Sequence, residues 1–322
     1  MKDLRFLFRE KAREFLRGLL REGKAEALRR TLFLSFLGAR ICYAEGPPLS
    51  LFSEERFRDP QRLRSFLSHL QKAGHGSVFA HSPLTVELSE PSADLLAALY
   101  KAWYDPKTSR LQLNLRHFAE VLTSEEFQRL LDPGISDREF LSFPAVVFEG
   151  PALQKVYEGS LEGLFSQSQP PNSGLIALPR VSVIQVPGQE PFGWFAVVAE
   201  GFSRLFSHQF VRHTWLNFNQ RSHRYTSVDQ FVEPPSFASA PGARELYRRE
   251  IERGLAAYRR LISLGVKKED ARFVTPQGAA TTVLATGPYF VWRDFIEKRT
   301  NPRAQWEIRS LAQTLERVMR PL

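Results

Sequence analysis

Between Ser203 and Tyr225 the chain reads SRLFSHQFVRHTWLNFNQRSHRY. Gln209, Arg212 and His213 stand three and four residues apart, on one side of an expected helix whose apolar positions are Phe202, Leu205, Phe206 and Phe210. A polar loop follows and closes with Ser222-His223-Arg224-Tyr225. Arginines, histidines, a serine and amides thus gather within two turns and a loop. Burying such groups together costs free energy unless an anion fills the space between them. The chemistry expected is recognition of a phosphorylated ligand, because a guanidinium stays charged and offers a planar fork of donors.

Two other segments carry groups of this kind. Gly74-His75-Gly76-Ser77 runs on through Val78-Phe79-Ala80 to His81, two histidines six residues apart in a turn. Neither histidine has the spacing or partners of a metal site, and the single Cys42 excludes a cysteine-based one, so no metal is expected. Taken alone, each histidine reads more readily as a turn or core residue than as a ligand contact. Towards the C-terminus stand Arg272, Arg299 and the run Arg303-Ala304-Gln305-Trp306-Glu307-Ile308-Arg309. Arg272 and Arg299 fall near expected helix ends, from which a side chain can reach a cleft. As surface ion pairs they would contribute little.

These groups need elements to position them. An amphipathic basic helix is expected over 2–22, with Leu4, Leu7, Phe8, Phe15, Leu16, Leu19 and Leu20 as its stripe. A second helical stretch covers 25–43, and Asp59-Pro60 opens a third that stops at Gly74. Leu84 to Leu88 alternates as a strand does. From 90 to 180 the texture changes to short helical pieces (93–104, 115–121, 124–131, 151–165), and Ser166 to Gly174, SQSQPPNSG, has the composition of a linker. This block reads as a helical insertion subdomain between an N-terminal part, 1–89, and a C-terminal part, 181–322. In the C-terminal part, strands are expected at Val181–Val186, Trp194–Ala199 and Thr281–Thr286. A long helix is expected over 242–264, and a last one opening at Asn301-Pro302. The class is α+β with helices dominant.

Composition narrows the function. The 322 residues are 43% hydrophobic, enough for a full core. No apolar run is long enough to span a bilayer. The first residues, which soon include Glu10 and Glu14, fit neither a secretory signal nor a transit peptide, and a cytoplasmic protein is expected. Net charge is +9, from 44 Lys and Arg against 35 Asp and Glu. This suits either a solvated basic surface or anionic partners; no basic tail or nucleic-acid motif accompanies it.

Four segments, taken in order, carry a family resemblance. They are Ala39-Arg40-Ile41-Cys42-Tyr43; Gly74-His75 through His81; Gly201-Phe202-Ser203-Arg204 through Tyr225; and Ala271-Arg272 through Arg309. The chain resembles the flavin-dependent thymidylate synthases (ThyX), most specifically in SHQFVRH, Asn219 and SHRY. The resemblance implies an α+β homotetramer with active sites at subunit interfaces. It implies FAD as cofactor, NADPH and methylenetetrahydrofolate as cosubstrates, and conversion of the nucleotide dUMP to dTMP. By the same resemblance Gln209, Gln220, Ser222, His223, Arg224 and Arg272 bind dUMP. Arg299 contacts the uracil and stabilises charge developing there, and Ser222 joins it as a catalytic candidate. Arg212 and His213 fall between flavin and nucleotide; Thr214, Asn219 and Gln220 belong to the flavin side; His75 lies near the flavin ring. Cys42 stands where the family places a small flavin-contacting residue.

The departures from that family pattern are concentrated. Thr214 stands where the family motif Arg-His-Arg has its second arginine, Asn217 where it has serine, and Gln220 at a usually acidic or amide position. Ala80 replaces a common glutamate, and Gly287 and Asp294 replace asparagines associated with flavin. The dUMP side is mostly kept while the flavin side is thinned. Each charge-assisted hydrogen bond absent from that side weakens flavin binding by on the order of 1–3 kcal/mol. Arg110, Arg116 or His117 of the insertion are candidate substitutes. Two other readings stay open. One is a relative that binds a pyrimidine nucleotide, with or without flavin, and has different or no methyl-transfer activity. The other is a nucleic-acid-binding or interaction protein using the basic surface, with steep salt dependence as its signature.

Overall fold

A computed structural model describes residues 2–132, 139–167 and 174–319, with side chains from residue 9 onward except Ser166. The N-terminal part holds α1 (Lys2–Arg21), α2 (Ala27–Tyr43), α3 (Glu55–Arg58), α4 (Pro60–Lys72) and β1 (Pro83–Glu87). Then come α5 (Ala93–Ala98), β2 (Trp103–Asp105), β3 (Arg110–Asn114), α6 (Leu115–Val121), α7 (Ser124–Leu131), β4 (Pro144–Glu149), β5 (Gln154–Ser160) and α8 (Leu161–Ser166). The remainder holds β6 (Arg180–Gln185), β7 (Phe195–Ser203), α9 (Arg204–Phe210), β8 (Asn217–Gln220), α10 (Ala243–Ser263), α11 (Lys268–Ala271), β9 (Ala280–Gly287), α12 (Tyr289–Arg299) and α13 (Trp306–Val318).

The fold is α+β. A six-stranded antiparallel sheet runs β5-β4-β6-β7-β9-β8, and a smaller one runs β1-β3-β2. Strand β7 shows why the large sheet is covered on both faces. Phe195, Val197 and Ala199 pack with helices α9, α12 and α13, while Ala196 and Val198 pack with α2 and the N-terminal core. That is the two-residue alternation of a strand, with both sets apolar. Segment 90–180 is not purely helical: β4 and β5 extend the large sheet, and β2 and β3 complete the small one. Strand β3 does alternate polar and apolar residues in Arg110–Asn114, but it is only five residues long and runs directly into α6. The expected helix at 151–165 is β5 followed by α8. The SQSQPPNSG stretch lies largely outside the described residues, as do the side chains of Leu4, Leu7 and Phe8.

Two boundaries bear on the site. Phe202 belongs to β7, and α9 starts after Ser203, whose hydroxyl accepts from Phe206 N. Glu307 in turn binds Ser203, accepting from its N–H at 2.8 Å and its hydroxyl at 2.5 Å. The conspicuous AQWEI run is therefore a brace: buried Glu307 ties α13 to the start of α9. Helix α13 opens at Trp306, capped by Gln305, rather than at Asn301-Pro302, which form a turn.

Candidate functional site

The residues singled out in the sequence lie at the two ends of β8. Helix α9 ends at Phe210, so Arg212 and His213 do not share a helix face with Gln209; they follow it in a turn. That turn is closed by Leu216 N donating to His213 O at 2.9 Å. Arg299, the last residue of α12, donates from Nε to His213 Nε2 at 2.8 Å. His213 is thus neutral, with its proton on Nδ1. Burial and then the Arg299 guanidinium push its pKa down to about 4. The ring also stands edge-on to Phe295 at 4.8 Å, which fixes its plane. Arg212 and Thr214 are exposed, and Gln209 is half-buried on α9.

At the other end, Gln220 donates from Nε2 to Thr281 Oγ1 at 3.2 Å. Ser222 N donates to Cys42 O, which holds the loop against the end of α2. The Ser222 hydroxyl accepts from Arg224 N at 3.3 Å. Arg224 is exposed and pairs with Glu269 at 2.8–2.9 Å, and Arg272 donates from Nε to Glu269 O at 3.1 Å. Tyr225 meets Tyr43 edge-to-face at 5.1 Å. His223 is buried, and its pKa is pushed down to about 4 by burial and then by Arg204, with Arg221 and Arg272 adding to the effect.

The expected convergence therefore does not occur within one chain. The four residues of β8 span about 10 Å, leaving Arg212, His213 and Arg299 at one end and Ser222, His223, Arg224 and Arg272 at the other. His75 is exposed ahead of the 3-10 turn at Gly76–His81, and no side-chain hydrogen bond joins it to either group. Asn219, between the two groups, points into the core. Its Oδ1 accepts from His81 Nε2 at 2.6 Å, its Nδ2 donates to Cys42 Sγ at 3.1 Å, and His81 Nδ1 accepts from Thr286 Oγ1 at 2.9 Å. This is a positioning network linking α2 and β9 to β8.

The loop alternates. Arg221 and His223 line a cavity of about 400 Å³ with Glu200, Arg180 and Thr282, while Ser222 and Arg224 do not. Burial holds the Glu200 carboxyl above the usual carboxylate range. Among the described residues, no group of three or more His, Cys, Asp or Glu is placed to hold a metal ion.

The family described as thymidylate synthase complementing protein (Thy1) matches residues 193–322. The matched residues, 193–322, make up the C-terminal part of the chain. They contain both groups at the ends of β8 and every site candidate except His75. Curated relatives named flavin-dependent thymidylate synthase match the chain as well. The protein of Geobacter sulfurreducens is 38% identical over 130 residues, 39% of this chain and 56% of the relative. That of Sulfurisphaera tokodaii is 37% identical over 117 residues, 35% and 45% of the two chains. That of Pyrococcus furiosus is 35% identical over 124 residues, 37% and 51%. The chain thus spans about half the length of the relatives it matches.

The structure adds residues that sequence reasoning missed. Glu269 holds Arg224, and Arg204 faces His223. Lys101 reaches β8 from segment 90–180 and donates to Leu216 O at 2.7 Å. No spacing rule would find Lys101, because 115 residues separate it from its partner. The substitutes expected from that segment are otherwise engaged. Arg116 pairs with Glu120, Arg110 donates to Glu190 O, and His117 accepts from Asn114 N and donates to Tyr100 O.

Proposed function

We propose that this chain is an FAD-dependent thymidylate synthase. It would convert dUMP to dTMP, with methylenetetrahydrofolate as one-carbon donor and NADPH as reductant. The observation that carries this reading is the charge state of the two groups. Among the described residues Arg212, Arg272 and Arg299 pair with no carboxylate, and Arg224 meets only the surface residue Glu269. Uncompensated guanidinium groups in a family-matched segment suit a ligand rich in phosphate. Their separation along β8 favours a homotetramer in which one subunit's Arg212–Arg299 end meets another's Ser222–Arg272 end.

The donor set fits a flavin nucleotide and a nucleotide monophosphate together. Bound FAD would supply the reducing equivalents of the methylation. The chain's own residues do the rest. Arg224 exchanges Glu269 for the phosphate of dUMP, a more highly charged acceptor, and Arg272 adds a second guanidinium. The Ser222 hydroxyl, already held by Arg224 N, orients the nucleotide. His213 accepts from Arg299 Nε, which leaves both Nη groups free to stabilise negative charge building on the uracil. Neutral His213 is required for this, because its lone pair holds the arginine. No helix among the described residues is long and apolar enough to cross a membrane, and we place the enzyme in the cytoplasm, acting on a small molecule rather than nucleic acid.

A second reading, a relative that binds a pyrimidine nucleotide without this methyl transfer, is favoured by Thr214 and Gln220, which leave the flavin side with fewer charges. The visible spectrum of the protein with FAD, before and after dUMP, followed by a dTMP assay, separates the two. A flavin spectrum perturbed by dUMP together with dTMP formation supports the synthase. Nucleotide binding without dTMP supports the second reading.

A further inference from the structure

Lys101 stands between α5 and β2, outside the family-matched segment, at a φ of 58°. Few lysines adopt this left-handed conformation, so the surroundings must hold it. His117 does so by donating to Tyr100 O at 2.7 Å. The ammonium donates to Leu216 O at 2.7 Å and to Asn217 Oδ1 at 3.3 Å, and lies 5.7 Å from the Tyr100 ring centre. Both acceptors are neutral, and among the described residues the third N–H has no partner. The ionisable groups around it are Arg116 of α6, itself bound to Glu120, and buried neutral His81. Burial, then Arg116, pushes the ammonium down to about 8. This is a half-buried cation without a counter-ion.

The residues near it in the chain and at the turn carry an aromatic cluster. Trp215 is 54% exposed and packs on Trp103 at 5.2 Å, which meets Phe290 edge-on at 4.9 Å. The family departures meet here too. Asn217 bonds Lys101 through Oδ1 and Ala80 O through Nδ2 at 3.0 Å. A Cβ on Gly287 would lie 2.7 Å from Leu216 Cδ2, so the glycine lets Leu216 pack down where its carbonyl meets Lys101. Thr214 lies within the same turn, His213–Leu216. Positions 80, 214, 217 and 287 thus gather at the turn that a lysine from elsewhere in the chain meets.

We propose that Lys101 is a ligand-binding residue, whose ammonium receives a phosphate of the flavin cofactor at the turn where Thr214 provides no cation. This rests on the flavin reading above. The test is titration of the full-length protein with FAD and with riboflavin, which has the ring but no phosphate. It compares wild type, Lys101→Gln, Lys101→Arg, Thr214→Arg and the double variant Lys101→Gln/Thr214→Arg, with thermal midpoints to check folding. Lys101→Gln should weaken FAD by about tenfold or more and leave riboflavin unchanged. Lys101→Arg should retain FAD. Thr214→Arg should gain little alone but restore FAD in the double variant, because two cations competing for one phosphate are not additive. Equal FAD affinity in wild type and Lys101→Gln, equal losses for FAD and riboflavin, or no rescue would each overturn the proposal. A wild type that binds no FAD would overturn the flavin reading and this inference with it.

Discussion

The two ends of β8 are built differently. The Ser222–Arg272 end takes all its charged side chains from the family-matched segment, where Glu269 pairs with Arg224 and accepts from Arg272 through its backbone; from outside it α2 adds only Cys42 O and Tyr43, which hold the loop. The Arg212–Arg299 end also leans on Lys101 and Trp103, which lie outside that segment. An anion site needs cations at the right place but not from a fixed position in the chain. Both ends carry residues of the family motif, but the Arg212–Arg299 end adds a cation from elsewhere in the chain. A motif read in isolation therefore underestimates a site whose missing member is returned by tertiary structure.

The largest expected effect tests the chemistry at the rebuilt end. Arg299→Ala removes the guanidinium held by His213 and should lower dTMP formation on the order of 10²–10³-fold. FAD should stay bound, because Lys101 and Arg212 remain. Measuring kcat beside flavin affinity checks both halves, and near-normal turnover would remove Arg299 from the charge-stabilising role. At the Ser222–Arg272 end the effect should be smaller and fall on binding. Ser222→Ala should weaken dUMP by about 1–1.5 kcal/mol, roughly tenfold, while leaving FAD affinity alone. If the two titrations shift together, the ends of β8 do not divide the ligands between them.

Much of this was legible in the sequence. Strands β6, β7 and β9 and the long α10 followed from periodicity and punctuation, and the matched residues from motif spacing. The α+β class followed as well. What was not legible came from tertiary override. His213 and Arg212 looked helical by spacing, yet α9 stops at Phe210 and a turn takes over. The residues seemed to converge because they are close in sequence, but an extended β8 carries them apart. Strand β3 alternates in sequence, but its five residues lead without a break into α6. Lys101 carries no local pattern; only the pairing of β1, β2 and β3 brings its turn to Leu216.

A pH experiment probes the brace between the two ends. His81 is fully buried, and burial pushes its pKa from 6.5 to about 4. The unfolded chain then takes up a proton below 6.5 that the native protein refuses until about 4. Stability must therefore fall as pH drops through that window and level off below it. His81→Gln keeps an amide for Asn219 but cannot titrate. Its stability curve, from urea unfolding at several pH values, should be shallower by up to about 1.4 kcal/mol per pH unit, one proton's worth. An unchanged slope would mean that His81 is already charged in the fold, which its bonds to Thr286 and Asn219 oppose.

The smallest effect belongs to Asp294, a departure that the structure gives no site role. It pairs with Lys298 one helical turn on, at 2.7 Å, with both side chains more than half exposed. Such pairs on a helix contribute about 0.3–0.5 kcal/mol and are screened by salt. Asp294→Asn should therefore shift stability by no more than about 0.5 kcal/mol. Its field does reach His213, whose pKa it raises slightly against the pull of burial and Arg299. Removing the charge makes His213 still more reluctant to protonate, so the Arg299 contact survives and turnover at neutral pH stays the same. If Asp294→Asn instead tightened FAD severalfold, the flavin side would be short of more than the one cation Lys101 replaces. The rebuilt end would then be a partial replacement rather than an equivalent one.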